Sequence, residues 1–297
     1  MREMYREIAR RLRADERCVV ATLVEARHAR PAPIGTSLVV GADGSFVGNI
    51  GAGCHEPEMI EAARAMLAAG GRRRMTAALE DEIFDGSACG ASLTVELWIP
   101  DASFLAIADR IVEGQQPVSF TCGVSTCCIE AKRSLVVVGA TQLAAQLTRS
   151  ASSADFLTTI VDPRAEFATK ARHPQADRIV VAWPQDVLPE MLSGADALVV
   201  LAHDAKIELP ALACGLTSEI RYIGVLGSRR AHRARERSLV RLGYSPGALS
   251  RIHGPVGLDL GGLQEAQIAC SILAEMLAVL NHRNARPLCE AEAPLRS

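Results

Sequence analysis

The sequence predicts an α/β protein in which a C-terminal Rossmann-like parallel-sheet domain is preceded by a smaller α+β domain. Three observations carry this expectation. A chain of 297 residues is longer than one hydrophobic core usually organises. From Ser134 onward, short β-branched runs alternate with helical stretches, the rhythm of a parallel sheet covered on both faces. Before that point the signals are those of hairpins and isolated helices, and an aperiodic stretch from Gly114 to Arg133 separates the two patterns. The domains are therefore placed at 1–113 and 134–297, with 114–133 as a linker or a last edge segment of the first domain.

Composition narrows the function classes. With 49% hydrophobic and 22% charged residues the chain can bury a core. A net charge of −2 gives no field for nucleic acid or an anionic membrane, and 4% aromatics supply no base-stacking platform. No apolar run approaches the ~18 residues that span a bilayer. Met1–Glu16 mixes Arg and Glu with apolar residues at helical spacing and has no apolar signal region, so a cytoplasmic protein is expected. Nine cysteines are odd in number and scattered, which predicts reduced thiols without a disulfide framework.

In the first domain, Glu3–Arg13 is amphipathic and reads as a helix, and Cys18–Glu25 as a strand. Thr36–Val40 and Ser45–Val47 flank Gly41-Ala42-Asp43-Gly44, a hairpin signal. Glu56–Ala69 is a helix stopped by Gly70-Gly71, Ser92–Ile99 a strand, and Phe104–Val112 a helix. In the second domain, strands are expected at Leu135–Val138, Leu157–Val161, Arg178–Val181, Ala197–Leu201 and Tyr222–Leu226. A last helix is expected over Gln264–Leu280, after a shaped loop at 251–262.

Ligands of such sheets bind beyond the carboxyl ends of the strands. The first turn there reads Gly139-Ala140-Thr141-Gln142. It keeps one glycine where a dinucleotide fingerprint needs a second for close approach to a pyrophosphate, so NAD(P) in the usual pose is doubtful. Asp162 ends the second strand, where a Rossmann domain contacts a ribose. Gly227-Ser228-Arg229 opens an arginine-rich helix whose free amides and guanidinium groups suit an anion. His203 and His253 fall at strand ends. Cys54 lies at a helix start, which lowers a thiol pKa, and Cys89 lies before a strand. No cysteine or histidine spacing forms a metal site.

Together these segments resemble the xanthine dehydrogenase accessory factor family (XdhC/CoxI) over nearly the whole chain. The family's S-G-G-C-x-E turn is matched by Gly51-Ala52-Gly53-Cys54-His55-Glu56, and its G-C-G-G by Ala88-Cys89-Gly90-Ala91. Asp162-Pro163-Arg164 also fits. The motifs Y-I-G-x-x-G-S-R and R-I-H-x-P-x-G-L-D-x-G stand nearly whole at Tyr222–Arg229 and Arg251–Gly261. The first turn departs, reading Gly139-Ala140-Thr141-Gln142 where the family has G-A-G-H.

The resemblance implies a handler of molybdenum cofactor, more a cofactor-insertion chaperone than a catalyst. Such a protein binds the molybdopterin-type cofactor, supports its sulfuration by a cysteine desulfurase and delivers it to an apo molybdenum hydroxylase. It assigns the reactive end to Cys54, Cys89 and Glu56. The cradle falls to Gly139, Asp162, Arg164, His203, Gly227, Ser228, Arg229, His253, Gly257 and Asp259. A homodimer is expected from the size of such carriers. An NAD(P)-dependent oxidoreductase, or a regulatory module that has kept the fold and lost the chemistry, are the alternatives.

Overall fold

The computed structural model describes residues 1–27, 32–50, 55–78 and 92–290. They form two compact units, Met1–Ala131 and Lys132–Ser297.

The first unit is built on a five-stranded antiparallel sheet with helices on both faces. Helix α1 (Arg2–Arg13) buries Met4, Tyr5, Ile8 and Ala9, one face at helical spacing. The sheet comprises β1 (Cys18–Arg27), β2 (Ser37–Gly41), β3 (Phe46–Gly48), β4 (Arg73–Ala78) and β5 (Ser92–Trp98), in the order β3-β2-β1-β5-β4. Alternate residues of β1 face opposite ways. Val19, Ala21 and Leu23 meet Met59, Ala62, Ala63 and Met66 of α2 (Glu56–Ala69), whereas Cys18 and Val20 pack with α1 and α3 (Phe104–Glu113). Gly70 ends α2 at φ 74°, a conformation that side chains resist. Strand β4 has no apolar run to announce it; it is an edge strand, and Arg74 pairs with Glu96 of β5 at 3.1 Å.

The stretch expected as a linker holds a hairpin, β6 (Val118–Cys122) and β7 (Ser125–Ile129). Val118, Phe120, Cys122, Cys127 and Ile129 point into the core against α1 and α3. Phe120 meets Tyr5 and Phe104 edge to face, at 5.8 and 5.3 Å. The chain passes to the second unit at 131–132. Two five-residue strands around Gly123 are too short for their period of two to stand out in the sequence.

The second unit runs β8 (Arg133–Val138), α4 (Gln142–Ser153), β9 (Phe156–Val161), β10 (Arg178–Val180), α5 (Pro184–Met191), β11 (Ala197–Val200), α6 (Ala205–Thr217), β12 (Tyr222–Val225), α7 (Arg229–Arg241), α8 (Pro246–Leu249), β13 (Ile252–His253) and α9 (Glu265–Leu280). All six strands are parallel, in the order β10-β9-β8-β11-β12-β13. Counted within the unit this is 3-2-1-4-5-6, the Rossmann order. Leu135 and Val137 face α4 and α9, while Val136 and Val138 face α5 and α6. The loop expected at 251–262 begins as a short edge strand, because Ile252 and His253 pair with Ile223 and Gly224. Among the described residues no helix is long and apolar enough to cross a membrane.

Candidate functional site

The strand order sets the candidate residues of the second unit along one rim. From β9 across to β13, the carboxyl ends carry Asp162, then Gly139, then His203, then Gly227 and Ser228, then the loop after His253. Four strand spacings of about 4.8 Å separate the ends of this row. Its members do not all behave alike.

Asp162 is fully buried. Its Oδ1 accepts from the backbone N and the Nε of Arg164, both at 2.9 Å, and its Oδ2 accepts from Arg164 Nη2 and Ala140 N, both at 2.7 Å. Burial pushes its pKa up, but the guanidinium and the two amides outweigh this and hold it below the usual carboxylate range. The group that would accept a ribose hydroxyl is thus turned inward as a clasp between the β8–α4 and β9–β10 turns. Arg164 is spent on it, and its guanidinium stacks over Phe167 at 4.6 Å. Gly139 has φ 106°, and a Cβ there would meet Ala202 N at 2.6 Å and Ala202 Cα at 3.0 Å. Its missing side chain makes room for backbone. Thr141 caps α4, its side chain accepting from Ala144 N at 3.2 Å.

The β12–α7 turn is arranged differently. Ser228 is exposed and caps α7, accepting from Ala231 N at 3.2 Å, and Arg229 and Arg230 beside it are exposed. Gly227 takes φ 147°, and a Cβ there would meet a side chain, the Arg235 guanidinium, at 3.3 Å from Nη2. Arg233 and Arg237 point to solvent; the buried members of α7 are Arg235 and Leu239. Arg235 donates from Nε to Glu208 Oε1 at 2.6 Å, and from Nη2 to Glu208 Oε2 at 2.9 Å and Leu226 O at 3.0 Å.

The glycine-rich loop packs beside this turn. A Cβ at Gly254 would lie 2.2 Å from His232 Nδ1 on α7. His253 is half-buried, stacks on Tyr222 at 4.7 Å, and holds Nδ1 3.4 Å from Glu275 Oε1. Glu275 Oε2 also accepts from Tyr222 Oη at 2.6 Å and from Gly257 N at 2.9 Å. Burial raises its pKa, and His253, Tyr222 and Gly257 together bring it below the ordinary value. Gly257, at φ 104°, is fixed by α9, since a Cβ would strike Ser271 Oγ. Asp259 is exposed beyond it, and His203 is exposed before the α6 cap Asp204. Arg251 sits before β13, at the opposite edge, where it donates to the carbonyls of Leu216, Ser218 and Ile220. It belongs to the end of α6 and not to the cradle.

Sequence reasoning passes over Glu275, Tyr222, Glu208 and Arg235. Glu275 leaves one readable signal: it is the sole charge in the apolar helical run 268–280. In the first unit Cys54 and Cys89 lie outside the described residues. Glu56 is buried, its Oε1 accepting from Ile50 N at 2.9 Å. Among the described residues no group of three His, Cys, Asp or Glu could hold a metal.

One buried and one half-buried histidine, His173 and His232, give the second unit a pH signature. His173 and His232 have pKa values below the usual one, chiefly because burial penalises the imidazolium. Both ring nitrogens of His173 lack a hydrogen-bond partner among the described residues. The unfolded chain binds these protons near pH 6.5 and the folded one only at lower pH, so stability falls as pH drops below about 6.5. Urea melts at pH 7.5 and 5.5 should show that loss, and His173→Leu should reduce the difference. An unchanged difference would exclude His173 as a source.

A family model described as the XdhC Rossmann domain matches residues 135–276, and one described as the XdhC and CoxI family matches residues 11–77. Together they cover well over half of the chain. The chain belongs to the XdhC and CoxI family. This family member is 25% identical over 293 residues to the molybdenum cofactor insertion chaperone PaoD of Escherichia coli K12, covering 95% of this chain and 89% of that one. It is 29% identical over 150 residues to a probable xanthine dehydrogenase subunit of Bacillus subtilis 168, covering 50% of this chain and 43% of the relative. A crystal structure described as a xanthine dehydrogenase from Bacillus halodurans superposes with TM-score 0.75 at 22% identity, over 97% of this chain and 98% of that one. That likeness establishes the shared fold.

Proposed function

We propose that this protein is an accessory factor that holds molybdenum cofactor and hands it to an apo molybdenum hydroxylase. The similarity to PaoD along nearly the full length of both chains carries this reading, and the rim of the parallel sheet supplies its physical content. The cargo is an anionic pterin phosphate with a metal at its far end. An anion of that kind suits a helix start with exposed amides and arginines, as at Gly227, Ser228 and Arg229. His253, braced by Glu275, and the exposed His203 and Asp259 flank that start with further polar groups. Cys54, Cys89 and Glu56 are assigned to the reactive end, where a soft thiol contact matches the metal. Support of sulfuration by a cysteine desulfurase belongs to the same proposal.

The nicotinamide alternative is weakened by two features. The Asp162 carboxylate has its acceptor positions filled, and the glycine of the first turn accommodates the backbone of Ala202. Neither leaves a ribose or pyrophosphate its usual contacts.

The test is to purify the protein from cells that make molybdenum cofactor and measure bound pterin and molybdenum after desalting. Both should co-purify, and adding the protein to an apo hydroxylase should raise its activity. Arg229→Ala should lower pterin retention with thermal stability unchanged. A wild-type protein free of pterin, which binds NAD(P) at micromolar concentration and turns it over, would replace this reading with the oxidoreductase one.

A further inference from the structure

We propose that Glu275 is a positioning residue that fixes the tautomer of His253, so that this histidine offers the cargo a hydrogen-bond acceptor at Nε2 and meets an N–H edge of the pterin, not its phosphate. This deepens the reading of the protein as a holder of molybdenum cofactor and rests on it.

A charge stands where none is expected. Glu275 is the sole charge in the apolar helical run 268–280, and its side chain is 17% exposed. Desolvating a carboxylate is costly unless specific partners compensate. Oε2 has two of them, since Tyr222 Oη donates to it at 2.6 Å and Gly257 N at 2.9 Å. A neutral glutamine could accept both bonds through its one amide oxygen. What a glutamine could not supply lies at Oε1, where His253 Nδ1 stands 3.4 Å away.

The protonation states follow from that contact. His253, Tyr222 and Gly257 hold Glu275 ionised, and an ionised carboxylate only accepts. Nδ1 must then carry the ring proton, which leaves Nε2 of the neutral imidazole with a lone pair. The ring itself is held in place. Its backbone pairs with Gly224 in the sheet, and one face stacks on Tyr222 with centroids 4.7 Å apart. The His253 side chain is 30% exposed. Nε2 has no hydrogen-bond partner among the described residues and, unlike both ring nitrogens of His173, is not sealed from solvent. An acceptor backed by a carboxylate suits a donor and repels an anion. The pterin ring carries amino and ring N–H donors, whereas the phosphate presents oxygens. His253 is matched to the ring.

Long-range proton–nitrogen spectra of the full chain, labelled in histidine, read the tautomer directly at about pH 8.5, where an ordinary imidazole is neutral. His253→Ala assigns the signals by their loss. Wild type should carry the proton on Nδ1. Glu275→Gln should move it to Nε2: the amide oxygen stays with Tyr222 and Gly257, so the NH2 group faces Nδ1 and turns it into the acceptor. Tyr222→Phe keeps the carboxylate and should leave the proton on Nδ1. Pterin retained after desalting should fall about tenfold in Glu275→Gln, the loss of one hydrogen bond. A wild-type ring protonated on Nε2, or on both nitrogens, would overturn the proposal. So would a proton that stays on Nδ1 in folded Glu275→Gln, or pterin retention unchanged by a shifted tautomer. If Glu275→Gln does not fold, the wild-type and Tyr222→Phe spectra decide, and an Nε2 proton in either overturns it. The spectra need no cargo, so the tautomer stands even if pterin fails to co-purify. Conversely, cargo retained beside the wrong tautomer removes only this assignment.

Discussion

Glu208→Ala should destabilise the second unit by about 3–5 kcal/mol, the cost of stranding a buried cation. The Glu208 side chain is 12% exposed and that of Arg235 5%, and two parallel hydrogen bonds join them. Removing the carboxylate leaves the guanidinium with Leu226 O as its one remaining described acceptor. It cannot neutralise itself, because arginine keeps its proton at any accessible pH. Urea denaturation should show the midpoint falling sharply with little change in slope. The Glu208→Met/Arg235→Met double variant should restore the stability, since a well-packed apolar pair replaces a buried ion pair at little or no cost. A single variant as stable as wild type would mean that water reaches Arg235 freely and that the pair is not buried in solution.

That pair also shows where the sequence stops being informative. The Rossmann order is legible because each strand is a β-branched run and each crossover a helix, and physics leaves one handedness for the connection. The family motifs are legible because they are long. The roles of individual charges are not. Arg229, Arg233, Arg235 and Arg237 look alike in sequence, and the helical phase that buries Arg235 is set by Leu239, four residues on, against the α6 side of the sheet. The partner Glu208 is 27 residues away, on another helix. No local pattern encodes that meeting.

Glycines mislead in a related way. Gly139, Gly227 and Gly257 all read as cradle positions for a ligand, yet Gly139 makes room for backbone and Gly257 for Ser271. At Gly227 a Cβ would meet Arg235 Nη2 at 3.3 Å and Ala231 Cβ at 3.4 Å, so its missing side chain makes room for α7. The hairpin β6–β7 is hidden for another reason: its strands are short, and its inward cysteines do not announce themselves as core. Arg251 groups in sequence with the loop that follows it, whereas one short strand carries the chain from one edge of the sheet to the other between them.

Asp162→Ala is the second large effect, and it separates architecture from nucleotide chemistry. The substitution leaves the buried Ala140 N–H without its acceptor and frees the Arg164 guanidinium from its two contacts. An orphaned buried donor costs about 1–3 kcal/mol, and hydrogen bonds to charged groups contribute about 1.5–3 kcal/mol each. Arg164 is 41% exposed and recovers part of its loss in water, so a total of about 2–4 kcal/mol is expected. The pH dependence has a definite sign. The folded pKa of Asp162 is depressed, so its contribution is complete above the unfolded value near 3.9 and disappears as pH falls through the folded one. Wild type and variant should therefore differ most near neutral pH and converge in strong acid. A nucleotide-binding role would predict the opposite emphasis: small loss of stability and large loss of affinity for NAD(P). Thermal melts from pH 2 to 7, run with and without NAD(P), distinguish the two, and a variant as stable as wild type at pH 7 would show that Asp162 is not the clasp holding the first turn against β9.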